Sequence, residues 1–225
     1  MAIASHVLAP REAYRLWAAT YPSSAQNALM RAEQRAVTAL MAKVKPARAL
    51  DAGTGSGRYL PELAAAGATL VVGLDFSPEM LAHGPRCGLR VCADARRLPF
   101  GRGAFDLVNA SLMAGDIDDL AAWIGATAEV LTPGGHFIYS DFHPTWERNG
   151  WRRTFQTPDG RTRHLPLFPH ALDQHVAALA SAGMVLADLL ELGLLENDAD
   201  ESSATFRRRW GNPPVAVVVH ATKPC

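Results

Sequence analysis

The chain alternates between short continuous apolar runs and longer stretches in which apolar residues recur every three or four positions. The short runs are typical of buried strands, and the periodic stretches are typical of helices that cover a sheet. Predicted strands occupy residues 47–52, 69–75, 89–93, 105–109, 136–141, 185–192 and 215–222. Predicted helices occupy residues 58–66, a segment that begins after Ser77, and residues 118–131 and 170–182. This alternation predicts an α/β fold with a parallel sheet, right-handed crossovers and ligands gathered beyond the carboxyl ends of the strands.

The first predicted strand leads into a helix through three glycines. Gly53, Gly55 and Gly57 follow Asp51 with a spacing of two, and glycines at such a turn allow positive φ and let a ligand lie on the backbone. We expect the free N–H groups of the new helix to favour a bound carboxylate or phosphate. A dinucleotide fingerprint requires its third glycine where Arg58 stands, so the spacing disfavours pyrophosphate binding.

Polar side chains stand where the predicted strands end. Asp75 ends the second strand, Asp94 follows the third, Ser111 follows the fourth and Asp141 ends the fifth. Because these ends meet at one edge of a parallel sheet, we expect the side chains to share a site, although each alone is also compatible with an ordinary loop residue. A carboxylate at the end of the second strand is placed to accept both hydroxyls of a nucleoside ribose.

Five segments in this order and spacing resemble the class I S-adenosylmethionine (SAM)-dependent methyltransferases: DAGTGSG, GLDFSPEM, ADARRLPF, FDLVNAS and LTPGGHFIYSD. They are most similar to the methyltransferase type 11-like, small-molecule group that includes the ubiquinone and menaquinone C-methyltransferases. The resemblance is dense over residues 47–142 and thin elsewhere. It departs from many relatives at residues 113–116, where they carry a histidine-containing segment, so it implies nothing about the acceptor.

The resemblance implies a fold and a cofactor. The fold is a Rossmann-like, doubly wound, seven-stranded sheet, mostly parallel, with the last strand antiparallel beside the fifth. The cofactor is SAM, with the glycine loop on its methionine moiety, Asp75 on its ribose and Asp94 with Ala95 on its adenine edge. The cofactor-binding residues expected on this basis are Asp51, Gly53, Thr54, Gly55, Asp75, Phe76, Met80, Asp94, Ala95 and Ser111.

Aromatic residues before the core admit two interpretations. Tyr14, Trp17 and Tyr21 recur at helical spacing and stop at Pro22, and Asn27 can cap the helix that follows. The stripe is either ordinary core packing or, as in related enzymes, an N-terminal helical lid over the cofactor and the substrate mouth. In the second case the three rings bind substrate.

A segment after the core, residues 144–170, interleaves aromatic residues with arginines. Pro158-Asp159-Gly160 is a turn between two short strands, which predicts a β-hairpin inserted after strand five. The hairpin either shapes a substrate pocket with Trp146 and Trp151 or is a solvated flap. Its arginines either lie in water or meet a carboxylate or phenolate of the substrate. The later stretch 197–214 is polar and rich in turn residues.

Length and charge narrow the function classes. With 225 residues, we expect one methyltransferase domain made of N-terminal helices (1–45), a SAM-binding core (46–142), a substrate-side insertion (143–170) and a C-terminal helix with strands (171–225). The 22 basic residues balance the 22 acidic ones, which disfavours nucleic acid and anionic membranes as partners. The first ten residues do not resemble a signal peptide, so we expect a cytoplasmic protein; its oligomeric state stays open. Cys87, Cys92 and Cys225 lack metal-ligand spacing, so no metal site is expected.

The expected activity is methyl transfer from SAM to a small-molecule acceptor, with O-methylation favoured over C- or N-methylation on general expectation. An acceptor of that kind needs a base, and His143 follows the carboxyl end of strand five, where the cofactor should lie. His143 is therefore the candidate base, with Asp141 as its partner or substitute and with His164, His170 and His175 as rivals. The alternative for His143 is a turn histidine bonded to backbone. Two other functions stay open: a SAM-binding protein with a non-methylating role such as cyclisation, and an NAD-dependent oxidoreductase, which lacks support from the glycine spacing.

Overall fold

A computed structural model describes residues 7–85, 87–194 and 201–225 of the chain. The helices in these ranges are α1 (Pro10–Trp17), α2 (Ala28–Met41), α3 (Leu60–Ala65), α4 (Pro78–Ala82), α5 (Leu120–Val130), α6 (Thr145–Arg148), α7 (Leu172–Ser181) and α8 (Glu201–Trp210). The strands are β1 (Arg48–Ala52), β2 (Leu70–Asp75), β3 (Leu89–Cys92), β4 (Phe105–Ala110), β5 (Leu131–Phe142), β6 (Thr154–Gln156), β7 (Thr162–His164), β8 (Val185–Leu192) and β9 (Ala216–Thr222). Short 3-10 helices span Ala18–Thr20 and Ala114–Asp116.

The main sheet has seven strands in the order β3-β2-β1-β4-β5-β9-β8. Strands β1 to β5 run parallel, and β9 is antiparallel to both of its neighbours, β5 and β8. The order reverses between β1 and β4, which is where doubly wound sheets open a crevice for ligands. The predicted fold class, the seven-stranded sheet and its antiparallel last strand are confirmed.

Helices cover both faces of this sheet. On one face Leu40 of α2 packs in the same cluster as Leu107 of β4. On the other face Trp123 of α5 and Leu179 of α7 cluster with Val108 of β4. Because successive side chains of a strand point to opposite faces, the consecutive Leu107 and Val108 serve both layers, which explains the continuous apolar character of the central strands. No helix in the described ranges is both long and apolar enough to cross a membrane.

The segments before and after the core pack on each other. The predicted hairpin is present as β6 paired antiparallel with β7. Phe155 of β6 stacks on Trp17 at the end of α1 with ring centroids 5.1 Å apart. Phe155 also forms a small core with Ala13 of α1 and Leu165 after β7. The N-terminal helix and the insertion therefore form one layer.

Two sequence predictions need correction. Strand β5 begins at Leu131, before the Pro133–Gly135 turn, because Leu131 already pairs with Phe105 of β4. The stretch 197–214 contains helix α8, in which Phe206 and Trp210 stand four residues apart and so share one helix face. Both rings pack on Trp151, with centroid distances of 4.9 and 5.5 Å. The prediction for residues 197–200 falls outside the described residues, as does that for residues 1–6.

Candidate active site

Two cavities open side by side at the carboxyl ends of the strands. The strand-end cavity, of about 510 Å³, is lined by the glycine loop and by residues that follow β2, β3 and β4, among them Asp75, Asp94 and Ser111. The aromatic cavity, of about 470 Å³, is lined by rings that include Trp17, Phe142 and Trp146. Tyr14, Tyr21 and Leu112 line both cavities, and we call this boundary the seam. Ligands held in the two cavities would meet there.

The glycine loop forms one wall of the strand-end cavity. Gly53 and Gly55 line the cavity with φ angles of 74° and 56°, in the region that favours glycine. Gly53 and Thr54 donate their backbone N–H groups to the Leu74 carbonyl oxygen at 2.8 and 2.9 Å, and Gly55 donates to Asp75 Oδ2 at 2.8 Å. These three loop amides are therefore not free to receive an anion, because β2 lies close enough to accept their hydrogen bonds; the expectation for the N–H groups of the helix that follows stays a prediction. The loop contributes a close backbone approach instead.

Asp51 and Thr54 lie behind the loop and line neither cavity. Asp51 accepts hydrogen bonds from Thr54 Oγ1 at 2.6 Å and from Asn109 Nδ2 at 2.7 Å. Only 2% of Asp51 is exposed, and this burial raises the pKa of its carboxyl to about 6, although the two donors act to lower it. The structure thus does not bring Asp51 and Thr54 to the cavity surface; they brace the loop against β4.

Asp75 lines the strand-end cavity and also accepts hydrogen bonds from two backbone N–H groups. Its Oδ1 accepts from the Ser77 N–H at 2.9 Å, and its Oδ2 accepts from the Gly55 N–H at 2.8 Å. Burial raises the pKa of the carboxyl, and these hydrogen bonds oppose that rise. Each carboxylate oxygen can accept a second hydrogen bond, so Asp75 can still receive the hydroxyls of a ribose.

The far end of the strand-end cavity contains the residues expected at an adenine. Phe76, Met80, Asp94 and Ala95 all line it, and Ser77 caps α4 through a hydrogen bond from the Met80 N–H. The Arg96 guanidinium binds Asp94, with Nη2 2.7 Å from Oδ2, and its hydrogen bond lowers the pKa of the Asp94 carboxyl. Ser111, which lies beyond β4, lines the same cavity.

The predicted substrate aromatics divide into three groups. Tyr14 and Tyr21 are seam residues, whereas Trp17 and Trp146 line the aromatic cavity only. Trp151 lines neither cavity: its ring packs edge-on against Trp146, with centroids 5.8 Å apart. The structure therefore brings four of the five rings to the cavities and places Trp151 behind them as support.

A buried ion pair that the sequence did not indicate closes the seam. Tyr14 of α1 donates from its hydroxyl to Asp116 Oδ2 at 2.7 Å. Arg153 of the insertion donates to Asp116 Oδ1 at 2.6 Å and to the Tyr14 hydroxyl at 2.7 Å. The Asp116 carboxylate and the Tyr14 hydroxyl together raise the pKa of the Arg153 guanidinium despite its burial. This group ties the N-terminal helix, the 3-10 turn after β4 and the insertion together at one point.

A second buried hydrogen-bond network, centred on Glu33, holds the seam residue Leu112 in place. Glu33 of α2 is fully buried and accepts hydrogen bonds from Tyr59 Oη at 2.7 Å, Ser140 Oγ at 2.8 Å and Arg58 Nη2 at 3.2 Å. Ser140 Oγ in turn accepts from the Leu112 N–H at 2.6 Å. Leu112 has a φ of 52°, a left-handed conformation that is costly for leucine and that surrounding contacts must hold. Glu33 therefore connects the helix after the glycine loop to the seam.

The structure does not bring His143 to either cavity. His143 is 3% exposed; its Nε2 lies 2.8 Å from Glu191 Oε2, and its Nδ1 accepts from the Thr145 N–H at 3.2 Å. Both ring nitrogens are occupied, so neither is available to take a proton from an acceptor. The turn-histidine alternative describes this geometry, because the chain after β5 folds over the ring.

Asp141 is also withdrawn from the cavities. Its Oδ1 accepts from the Phe142 N–H at 2.7 Å, and its Oδ2 lies 3.6 Å from His175 Nε2 without a hydrogen bond. Burial raises the pKa of this carboxyl well above its usual range and lowers that of His175 to about 4. Burial thus disfavours the charged form of both groups inside the core.

The two cavities differ in charge. Four aspartates and two arginines line the strand-end cavity: Asp75, Asp94, Asp116, Asp118, Arg11 and Arg96. In the described part of the chain, Arg152 and Arg153 are the charged residues that line the aromatic cavity, and no histidine lines either cavity. The same part of the chain holds no group of three His, Cys, Asp or Glu side chains placed to bind a metal ion.

One of the residues that sequence reasoning missed carries a detectable signal. Glu33 falls between Leu29 and Val37 at helical spacing, so a carboxylate occupies the buried stripe of α2 and must find donors there. Arg153 is one of several arginines in the insertion, and no pattern separates it from its neighbours. The partners of Asp116 come from residues 14 and 153, far away in the chain, so no local pattern marks it.

Comparison with known proteins identifies the region that carries the strand-end cavity. Residues 50–139 match the family described as "Methyltransferase domain". A demethylmenaquinone methyltransferase from Thermus thermophilus is 40% identical over 124 residues, covering 51% of this chain and 56% of that protein. The chain thus spans about half the length of the curated relatives it matches.

Solved structures extend the likeness over more of the chain. An S-adenosylmethionine-dependent methyltransferase from Mesorhizobium loti aligns with a TM-score of 0.67 and 24% identity, covering 85% of this chain and 98% of that one. The [4+2]-cyclase SpnF aligns with a TM-score of 0.66 and 18% identity, covering 98% of each chain. At these identities the likeness shows the fold alone.

Proposed function

We propose that this chain, whose residues 50–139 match a methyltransferase domain, is a class I SAM-dependent methyltransferase that transfers the methyl group of SAM to an apolar small-molecule acceptor. One observation carries the proposal. A cavity lined by the glycine loop and strand-end acids meets a second, aromatic cavity at Tyr14, Tyr21 and Leu112. A second cavity that only touches the first suits a two-substrate reaction, since the reacting groups would be brought together at the seam.

The hydrogen-bond acceptors and the charges that line the strand-end cavity fit SAM. The Asp75 carboxylate lines it with acceptor positions to spare for ribose hydroxyls, and Phe76 and Met80 offer apolar surface for adenine. The excess of carboxylates over guanidinium groups favours a cationic ligand. Bound there, SAM would supply a methyl group on a positively charged sulfur, whose S–C bond breaks as the acceptor forms its new bond to that carbon.

The chain's own contribution is alignment and the exclusion of water. We propose that residues 1–45 and 143–170 act as accessory segments over the core at 46–142, with Tyr14 and Tyr21 closing the seam. No histidine lines either cavity in the described ranges, and the buried Arg153 charge lies at the seam. We therefore propose O-methylation of an acceptor that reacts as its anion, having lost its proton before transfer, rather than base catalysis by His143.

Calorimetric titration with SAM, S-adenosylhomocysteine and NAD tests the cofactor. We expect the two sulfur compounds to bind and NAD to leave no signal; binding of NAD alone would overturn the proposal. Incubation with methyl-labelled SAM and a panel of apolar phenols, carboxylic acids and amines then tests transfer. Binding of SAM with no labelled product from any acceptor class would favour the non-methylating alternative, for which this fold is also used.

The acceptor can lose its proton to solvent before methyl transfer, or His143 can remove it. The pH dependence of turnover distinguishes these two possibilities. If the acceptor reacts as its preformed anion, the rising limb should follow the pKa of each acceptor when two phenols of different acidity are compared. His143→Asn should keep that limb. A rising limb of the pH–rate profile that has the same midpoint for both phenols and disappears in His143→Asn would show that His143 is the base.

A further inference from the structure

We propose that the aromatic cavity binds acceptors that carry a carboxylate, and that Arg152 is the residue that recognises it. This inference rests on the proposed function, because it names the class of molecule that the second cavity would take. Arg152 lies outside the strand-end cavity and would determine specificity. On this proposal the charge of the acceptor, and not its shape alone, decides whether it binds.

The first observation is the sign of the charged side chains that line the aromatic cavity. Arg152 and Arg153 are the only charged side chains that line the aromatic cavity in the described part of the chain, and both are cationic. Across the seam the strand-end cavity is lined mainly by carboxylates. A cavity walled by apolar rings focuses the field of its few charges, so a negative ligand group is favoured in one cavity and a positive one in the other.

The two arginines are not equivalent. Arg153 is buried and already committed, because it donates to Asp116, to Tyr14 and to the Pro166 carbonyl oxygen. Arg152 lines the same cavity with an exposed side chain, and it makes no hydrogen bond or ion pair with any described residue. Its planar guanidinium can therefore form two parallel hydrogen bonds with an incoming carboxylate.

The positions of the arginines also orient the ligand. Arg153 lies at the inner end of the cavity, since it touches the seam residue Tyr14. Arg152, being exposed, lies where the cavity opens to solvent. A carboxylate on Arg152 would hold the outer end of the acceptor and leave its other end directed towards the seam.

The walls suit a flat apolar body between those ends. Phe142 and Trp146 meet edge-on with centroids 4.8 Å apart, and Trp17 and Tyr21 do so at 4.8 Å. A volume of about 470 Å³ lies in the range of single small-molecule sites. A planar aromatic acid of one or two rings fits this description.

Binding of 2-naphthoate and of 2-naphthamide, measured by tryptophan fluorescence with S-adenosylhomocysteine present at saturation, tests the proposal. The probes have the same shape, and only the first is charged. We expect the native protein to prefer naphthoate by about tenfold or more, because a charge-assisted pair replaces a neutral hydrogen bond. Arg152→Gln should reduce the preference to less than about threefold, and Arg152→Lys should retain part of it.

Arg148→Gln is the matched control, because Arg148 is an exposed arginine of the same segment that lines neither cavity. It should leave the preference unchanged. Equal binding of the two probes by the native protein, or an unchanged preference in Arg152→Gln, would overturn the proposal. Binding of S-adenosylhomocysteine is measured first, in a separate titration of each protein, so loss of the acceptor preference with intact cofactor binding refutes the acceptor class alone. Absence of S-adenosylhomocysteine binding refutes the proposed function instead.

Discussion

The strand-end cavity and the aromatic cavity are similar in volume but are built in different ways. The first takes most of its lining from the ends of β1 to β4, which follow one another along the chain between residues 53 and 118. The second is assembled from α1, the end of β5, the insertion and α8, so its lining runs from Tyr14 to Val215. A parallel sheet brings strand ends together automatically, whereas the second cavity depends on how accessory segments pack.

The two cavities also differ in how their polar groups are held. On the strand-end side the buried Asp75 accepts hydrogen bonds from the backbone amides of Gly55 and Ser77, and the buried Asp51 accepts from the side chains of Thr54 and Asn109. On the aromatic side the polar contacts join side chains from distant segments, as Tyr14, Asp116 and Arg153 do. Substitutions on the first side should therefore alter cofactor affinity and stability, and those on the second should alter closure and acceptor binding.

The largest expected effect concerns the pH dependence of stability at Asp51. Burial in the folded protein raises the pKa of this carboxyl from its ordinary value of 3.8 to about 6, so protonation of Asp51 stabilises the fold. This stabilisation is complete below about pH 4 and is lost as the pH rises through about 6, and a two-unit shift corresponds to roughly 3 kcal/mol. The free energy of unfolding of the native protein, measured against Asp51→Asn by urea denaturation, should fall by that amount over this window. A difference between the two proteins that stays constant from pH 4 to 7 would contradict the assignment.

The next effect concerns SAM affinity. Asp75→Ala should raise the Kd for SAM by about 30-fold, or about 2 kcal/mol, because a charge-assisted contact is lost and the Gly55 and Ser77 amides lose their acceptor. Asp106→Ala is the control, since Asp106 also accepts from backbone amides, those of residues 47 and 48, but lines neither cavity. It should leave the Kd within about twofold. An unchanged Kd in Asp75→Ala would remove Asp75 from the cofactor site.

A smaller effect is expected at the seam itself, through Glu33. Glu33→Gln should lower kcat about tenfold while SAM affinity changes little, because the network that holds Leu112 loses its charged acceptor. Ser140→Ala breaks the same connection at its next member, so the double variant should lose no more than either single variant. Glu62→Gln, a half-buried carboxylate on α3, should keep native turnover. Additive losses in the double variant would show that Glu33 and Ser140 act independently.

The smallest effect concerns closure by α1. Tyr14→Phe should speed tryptic cleavage after Arg11 and Arg15 about fivefold, since one hydrogen bond of about 1 kcal/mol no longer holds the helix to Asp116 and Arg153. Tyr21→Phe is the control, because the Tyr21 hydroxyl lines the same seam without a hydrogen bond to any described residue. S-adenosylhomocysteine should slow cleavage in both proteins. Equal cleavage with and without it would show that α1 packs there without gating the site.

The residues that line the strand-end cavity could be predicted from the sequence because local sequence patterns specify them. Apolar runs specify strands, the glycines mark the turn, and the acids at strand ends share one edge once the sheet is parallel. Sequence reasoning placed Gly53, Gly55, Asp75, Phe76, Met80, Asp94, Ala95 and Ser111 around one cavity, as the structure does. It did not anticipate the hydrogen bonds from the loop amides to β2, because these bonds depend on the distance between two strands, which no local pattern reports.

The sequence by itself determined the sheet, its strand order by resemblance and the hairpin, and it left open whether the aromatic residues on either side of the core line a pocket. The tertiary structure alone decided that His143 bonds to Glu191 and Thr145 and that Arg153 rather than Arg152 is buried against Asp116. The physical reason is that burial and pairing arise from contacts between segments far apart in the chain. Packing alone thus makes one of two adjacent arginines a buried partner of Asp116 and leaves the other exposed at the aromatic cavity.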